Sequence, residues 1–101
     1  MDMVFFEIIV DAAEASLIGL QSRDEIEGPL EKMFAVTGFG EVTGGGAGGG
    51  VYIIDVEVNR GELDEALLAI KNVLRGMRLP IGTKIKKGKP DRTEISIYDS
   101  P

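Results

Sequence analysis

The stretch GEVTGGGAGGGVYIIDVEV, Gly40 to Val58, places six glycines within residues 44–50 and then runs straight into alternating apolar residues. Its reading decides the architecture. A glycine loop that opens a helix is a phosphate cradle and marks a nucleotide-binding enzyme. A glycine joint between two strands, or a hinge, carries no such implication. Gly44, Gly46 and Gly49 do fit G-x-G-x-x-G. That fingerprint works only after a strand and before a helix, where the pyrophosphate meets the helix N-terminus. Here the glycines precede a strand pattern. The P-loop string G-x-x-x-x-G-K-[ST] is absent as well. The stretch is therefore read as a flexible hairpin connection, where glycine permits positive φ and bulges. A mobile loop that brings backbone amides to a ligand is the remaining reading.

Working outward, VYIIDVEVN (Val51–Asn59) is a strand with Tyr52, Ile54, Val56 and Val58 on one face. Val51, Ile53, Asp55 and Glu57 share the other. GEVTGGG (Gly40–Gly46) is a short strand before it. SRDEIEGPLEKMFAVTG (Ser22–Gly38) reads as a helix opened by a capping box of Ser22 and Glu25. Pro29 predicts one kinked helix, or else a helix whose regular part begins at Gly28-Pro29 with proline in the first turn, and Gly38 predicts its C-terminal cap. NRGELDEALLAIKNVLRGM (Asn59–Met77) is the clearest helix, capped by Asn59 and Glu62, with Leu63, Ala66, Ile70 and Leu74 on its apolar stripe. MVFFEIIVD (Met3–Asp11) is the first strand, and Ala12–Gln21 is a loop or a short helical turn. Gly82–Asp99 reads as a basic hairpin or long strand that turns at Lys87–Asp91.

The order is β-α-β-β-α-β. It predicts an α+β ferredoxin-like sandwich, with an antiparallel sheet of about four strands and two helices on one face. The 101 residues suit one domain spanning 1–101, with one modest core. No run reaches the roughly 18 apolar residues of a membrane helix. Asp2 and Glu7 stand where a signal peptide would be basic, so no leader and no membrane contact are expected. Neither cysteine nor histidine occurs. Disulfides, thiolate nucleophiles, Cys-ligated zinc and the commonest general base are thereby excluded. A cytoplasmic protein with no cofactor is the default expectation.

The net charge of −6 is unevenly spread. Residues 1–65 hold fourteen acids against three bases, and residues 66–101 hold three acids against eight bases. An acidic whole is poorly suited to nucleic acid, whose affinity comes mainly from phosphate neutralisation. The basic run KIKKGKPDR offers an anion contact through Lys84, Lys86, Lys87, Lys89 and Arg92. It lacks interleaved aromatics for base stacking. An edge hairpin using lysine to discourage strand pairing is the plainer reading, and contact with an acidic partner surface is a third.

A sheet with helices on one side leaves its other face open, and an open face is ordinarily polar. Here it carries Phe5, Ile9, Val51 and Ile53, enough for a patch at the size where association sets in. These residues predict self-association as a homodimer. Scattered exposure, or cover by Ala12–Gln21, are the alternatives. The same face carries Glu7, Asp55, Glu57 and Tyr98. With Tyr52, they are the candidate ligand or pocket groups. Clustered carboxylates can share a raised pKa or bind a hard cation. A solvated sheet surface is the ordinary explanation, and no metal site is assigned.

GFGEVTGGGAGGG with IDVEV and LPIGTKI resembles a pattern in small prokaryotic proteins of uncharacterised function, over roughly Arg23 to Ile85. That resemblance implies no activity and gives no residue a role. At the level of fold alone, the chain is similar to ferredoxin-like domains, which host unrelated functions. The functional expectation is a non-catalytic, self-associating binding or regulatory module with a protein partner. One version is an acidic inhibitor or immunity-type protein. The alternative is a small-molecule binder or small cofactor-independent enzyme, with a pocket between sheet and helices or at a dimer interface.

Overall fold

The computed structural model describes residues 2–88 and 92–98. Its elements in chain order are β1 (Met3–Asp11), α1 (Ala12–Leu17), α2 (Asp24–Thr37), β2 (Gly40–Gly48), β3 (Val51–Asn59), α3 (Leu63–Gly76), β4 (Lys84–Lys87) and β5 (Glu94–Ser96). A 3₁₀ turn at Arg60–Glu62 leads into α3. The strands form one five-stranded sheet in the order β2-β3-β1-β4-β5, with every neighbouring pair antiparallel. An α+β architecture with an antiparallel sheet is what the sequence predicts. A fifth strand and a third helix go beyond the β-α-β-β-α-β order.

Alternation sets the core. Val4, Phe6, Ile8 and Val10 of β1 point to the helical side and are buried. So are Ile54, Val56 and Val58 of β3 and Ile85 of β4. Ile26, Leu30 and Phe34 of α2 and Ala66, Ile70 and Leu74 of α3 meet them as one cluster. Each fully buried aliphatic or aromatic side chain contributes about 1.5–3 kcal/mol, which holds the helices on that one face.

The local expectations divide. Ala12–Leu17 takes the helical of its two expected forms, capped by Asp11, whose side chain accepts from the Glu14 N–H at 2.9 Å. Short acidic caps do this because the first helical amides have no partner within the helix. Ser22 does not build a capping box. The N-cap of α2 is Arg23, with no side-chain cap bond, and Glu25 instead accepts from the Gln21 amide at 3.4 Å. The helix runs through Pro29 as one element. Packing of Ile26 and Leu30 on either side of the proline offsets the lost hydrogen bond. Gly38 ends the helix at φ +69, as its position predicts. Asn59 does not cap a backbone amide; its side chain donates to the Glu62 carboxylate at 2.8 Å and to the Gly38 carbonyl at 3.0 Å.

The glycine run joins two strands, as expected, but β2 extends past the expected Gly40–Gly46 to Gly48, and only Gly49–Gly50 form the turn. Glycine has no side chain whose alternation could announce a strand, so pairing with β3 alone defines it. A bulge falls between Val42 and Gly44. The basic segment resolves into β4 and β5, paired from Lys84–Ser96 to Lys86–Glu94. The expected turn at Lys87–Asp91 falls largely on residues 89–91, outside the described residues.

Candidate functional site

The open face of the sheet is built by the residues that alternate with the core. Register places them in rows across the strands. Gly44, Asp55, Glu7, Lys86 and Glu94 form one row, and Gly46, Ile53, Ile9, Lys84 and Ser96 form the next. Glu41, Glu57 and Phe5 lie beyond the first row, while Gly48, Val51 and Asp11 lie beyond the second. Residues directly opposite on one face have Cβ atoms about 4.5–5.5 Å apart, so these rows are contacts rather than a formal count.

The candidate self-association residues are all on this face, but they do not make one patch. Ile9 faces Ile53, with Val51 next along the strand. Phe5 stands on the far side of the Glu7 row. It is 38% exposed and leans on Gly88, where a Cβ would come within 2.7 Å of the ring. The segment after β1 does not cover the face. Ala15 and Leu20 pack into the helical-side core instead.

Between the two apolar ends runs a charged belt. Glu7 and Asp55 are opposed like charges. The Arg92 Nη1 lies 3.4 Å from the Glu7 carboxylate and relieves it. At Asp55, Oδ1 is enclosed and has no hydrogen-bond partner among the described residues. Desolvation, and then the Glu7 charge, push the Asp55 carboxyl above its ordinary range; Arg23 opposes this. On the other side of β1, Lys84 and Lys86 both reach Glu94, at 3.0 and 3.6 Å. The hydrogen bond from Lys84 and its charge hold the Glu94 carboxyl below its usual range.

The remaining candidates are spread more widely. Glu57 lies beside Phe5 rather than in the Glu7–Asp55 row. Tyr52 is on the helical side, and its hydroxyl donates to the Gln21 carbonyl at 3.0 Å. Tyr98 follows β5, and its hydroxyl donates to the Leu79 carbonyl at 2.5 Å. Of the basic group, Lys84, Lys86 and Arg92 border the open face and are engaged by carboxylates. Lys87 pairs in register with the core residue Phe6, and Lys89 lies outside the described residues. No group of three or more acidic side chains is arranged as a metal site among the described residues. Arg23 was not a sequence candidate. Its guanidinium reaches the place that a Cβ on Gly45 would occupy, 2.9 Å from Nη1. Only the tertiary approach of α2 to β2 reveals that role.

Most of the space between sheet and helices is taken by the core cluster, and two grooves open at its margins. A groove of about 320 Å³ between α2 and β2 is lined by Glu31, Phe34, Ala35, Gly40, Glu41 and Val42. Another, of about 450 Å³, lies along α3 at Asp64, Leu67, Leu68 and Lys71. No helix among the described residues is long and apolar enough to cross a membrane. No protein-family model, curated protein or solved structure matches this chain.

Proposed function

We propose that this protein is a non-catalytic, cytoplasmic binding module that self-associates as a homodimer through the open face of its sheet. The fold is taken as a ferredoxin-like sandwich extended by one edge strand. The observation that carries the reading is the chemistry of the uncovered face. Ile9, Ile53 and Val51 lie together there, Phe5 is 38% exposed, and an enclosed oxygen of Asp55 lacks a hydrogen-bond partner among the described residues. An open face that only met water would be polar throughout. Apolar groups left on it favour association, because covering them removes their surface from water.

Light scattering from low to high micromolar concentration tests this. The expected result is a mass that rises toward twice the monomer mass, and a shift back toward monomer for Ile53→Thr. A monomer at every concentration up to the high micromolar range overturns the reading.

A further inference from the structure

We infer that the second copy docks face to face with its two-fold axis parallel to β1, so that Asp55 of each copy meets Lys86 of the other. The inference rests on the self-association reading and specifies its geometry.

The argument begins with the distribution of charge across the open face. On one side of β1 stand Glu41, Asp55 and Glu57. On the other stand Lys84, Lys86 and Arg92, with Glu94 as the only acid of that side among the described residues. A two-fold interface puts the same patch on both copies and requires self-complementarity. Two arrangements of stacked sheets satisfy the symmetry. With the axis in the interface and perpendicular to the strands, β3 faces β3, and the acidic sides oppose each other. With the axis parallel to β1, β3 faces β4 of the second copy, and acid meets base. Like charges brought together across an interface oppose association and opposite charges favour it, so the second arrangement is selected.

Register then assigns the contacts. Asp55 and Lys86 lie in one row on either side of Glu7. Rotation about β1 exchanges their sides and places each over its opposite. The carboxylate of Asp55, opposed within its own copy by Glu7, thereby faces a cation of the second copy. In the neighbouring row, Ile53 meets the stem of Lys84, which can cover apolar surface while its amine stays in water. Phe5 meets Phe5 and Ile9 meets Ile9 along the axis. Glu7 also meets its own copy there, but Arg92 already neutralises it at 3.4 Å.

Shape agrees with charge. Gly44, Gly46 and Gly48 leave the open face of β2 without side chains. The same rotation sets that low ledge under the β4–β5 hairpin, where Glu94 and Lys84 project. Packed sheets cross at about 30° rather than lying parallel, which the ledge accommodates. β1, β2 and β3 have nine residues each, but β4 and β5 have four and three, so the overlapping strands cover roughly 400 Å² per copy, about half the ~800 Å² of a standard interface. The dimer should therefore depend on concentration.

The test uses charge reversal and mixing, read by sedimentation velocity. Asp55→Lys and Lys86→Glu should each weaken homodimerisation by at least about tenfold, since each puts like charges together twice. An equimolar mixture should recover wild-type association, because both pairs are then opposite in sign. If wild type dimerises but neither variant changes it, this geometry is overturned and self-association stands. If Asp55→Lys pairs with wild type more tightly than wild type pairs with itself, the perpendicular axis holds and this one is overturned, because the parallel axis sets the introduced lysine against Lys86 in that mixture. A wild type that never dimerises removes both readings. A second measurement does not depend on either variant folding. Carbodiimide cross-linking of mixed ¹⁴N and ¹⁵N wild-type protein should give an Asp55–Lys86 peptide carrying both labels. A dimer whose cross-links all omit that pair overturns the inference.

Discussion

Asp55 is the residue whose behaviour depends most on its neighbours. Its carboxyl titrates above the ordinary value of 3.8 because it is desolvated and faces Glu7. The folded state therefore holds this proton more tightly than the unfolded chain does. Stability from that proton is present below the unfolded pKa and is lost as pH rises through the raised folded value. Asp55→Asn should raise the melting temperature of dilute, monomeric protein at pH 7. The gain should shrink toward zero as pH falls to about 3.8, and a gain that persists there would contradict this account. Gly45 is the second sensitive position. It sits at φ +141, and a Cβ would lie 2.1 Å from the Ile53 carbonyl oxygen. Gly45→Ala should cost about 1–3 kcal/mol from backbone strain alone. Gly46→Ala, with nothing within 4 Å, should stay within about 0.5 kcal/mol. Urea unfolding of the pair separates strain from loss of glycine as such. The sequence named Asp55 as a candidate from its strand face. It did not distinguish Gly45 from its neighbours, because that difference comes from the β3 backbone passing beside it.

At the scale of elements, α3 is the plainest case of a pattern read correctly. Ala66, Ile70 and Leu74 recur at helical spacing and are all buried. Leu74→Ala should cost about 2–5 kcal/mol in denaturant unfolding, through lost burial and a cavity. The C-terminal hairpin is held differently. The Tyr98 hydroxyl bonds the Leu79 carbonyl, Arg75 donates to the Ile97 carbonyl, and Ile97 is buried. Tyr98→Phe should cost about 1 kcal/mol. Amide exchange of β5 should quicken more than that of β1, because β5 is a short edge strand. The sequence sets Ile95 and Ile97 two residues apart, hence on one side of the chain, and that side meets the core. It could not supply the Tyr98 partner, because Leu79 lies 19 residues earlier. The same limit explains α2: Ser22 and Glu25 have the spacing of a capping box, but Glu25 turns to Gln21.

For the whole molecule, the central issue is how two unlike surfaces share one sheet. The helical face is a single apolar cluster. The open face alternates apolar ends with a charged belt, and that mixture sets the expected salt response. Exposed charge pairs weaken as the screening length falls from about 10 Å at 0.1 M to about 3 Å at 1 M salt. Raising sodium chloride over that range should weaken the proposed dimer without abolishing it, because contacts made by Ile9, Ile53 and Phe5 would not be screened. Association unchanged or strengthened by salt would show that the belt plays no attractive part.

By itself, the sequence determined which residues of each strand share a face. Side chains alternate with a period of two whatever the neighbouring strand may be, so Phe5, Ile53 and Asp55 were separable from Phe6, Ile54 and Val56 on pattern alone. Helical spacing fixed the buried stripes of α2 and α3 in the same local way. Only the tertiary structure decided which residues meet across strands. Register set Glu7 between Asp55 and Lys86, carried β2 on to Gly48, and divided the expected patch with a row of charge. Pairing depends on residues far apart in the chain, and no local period records it.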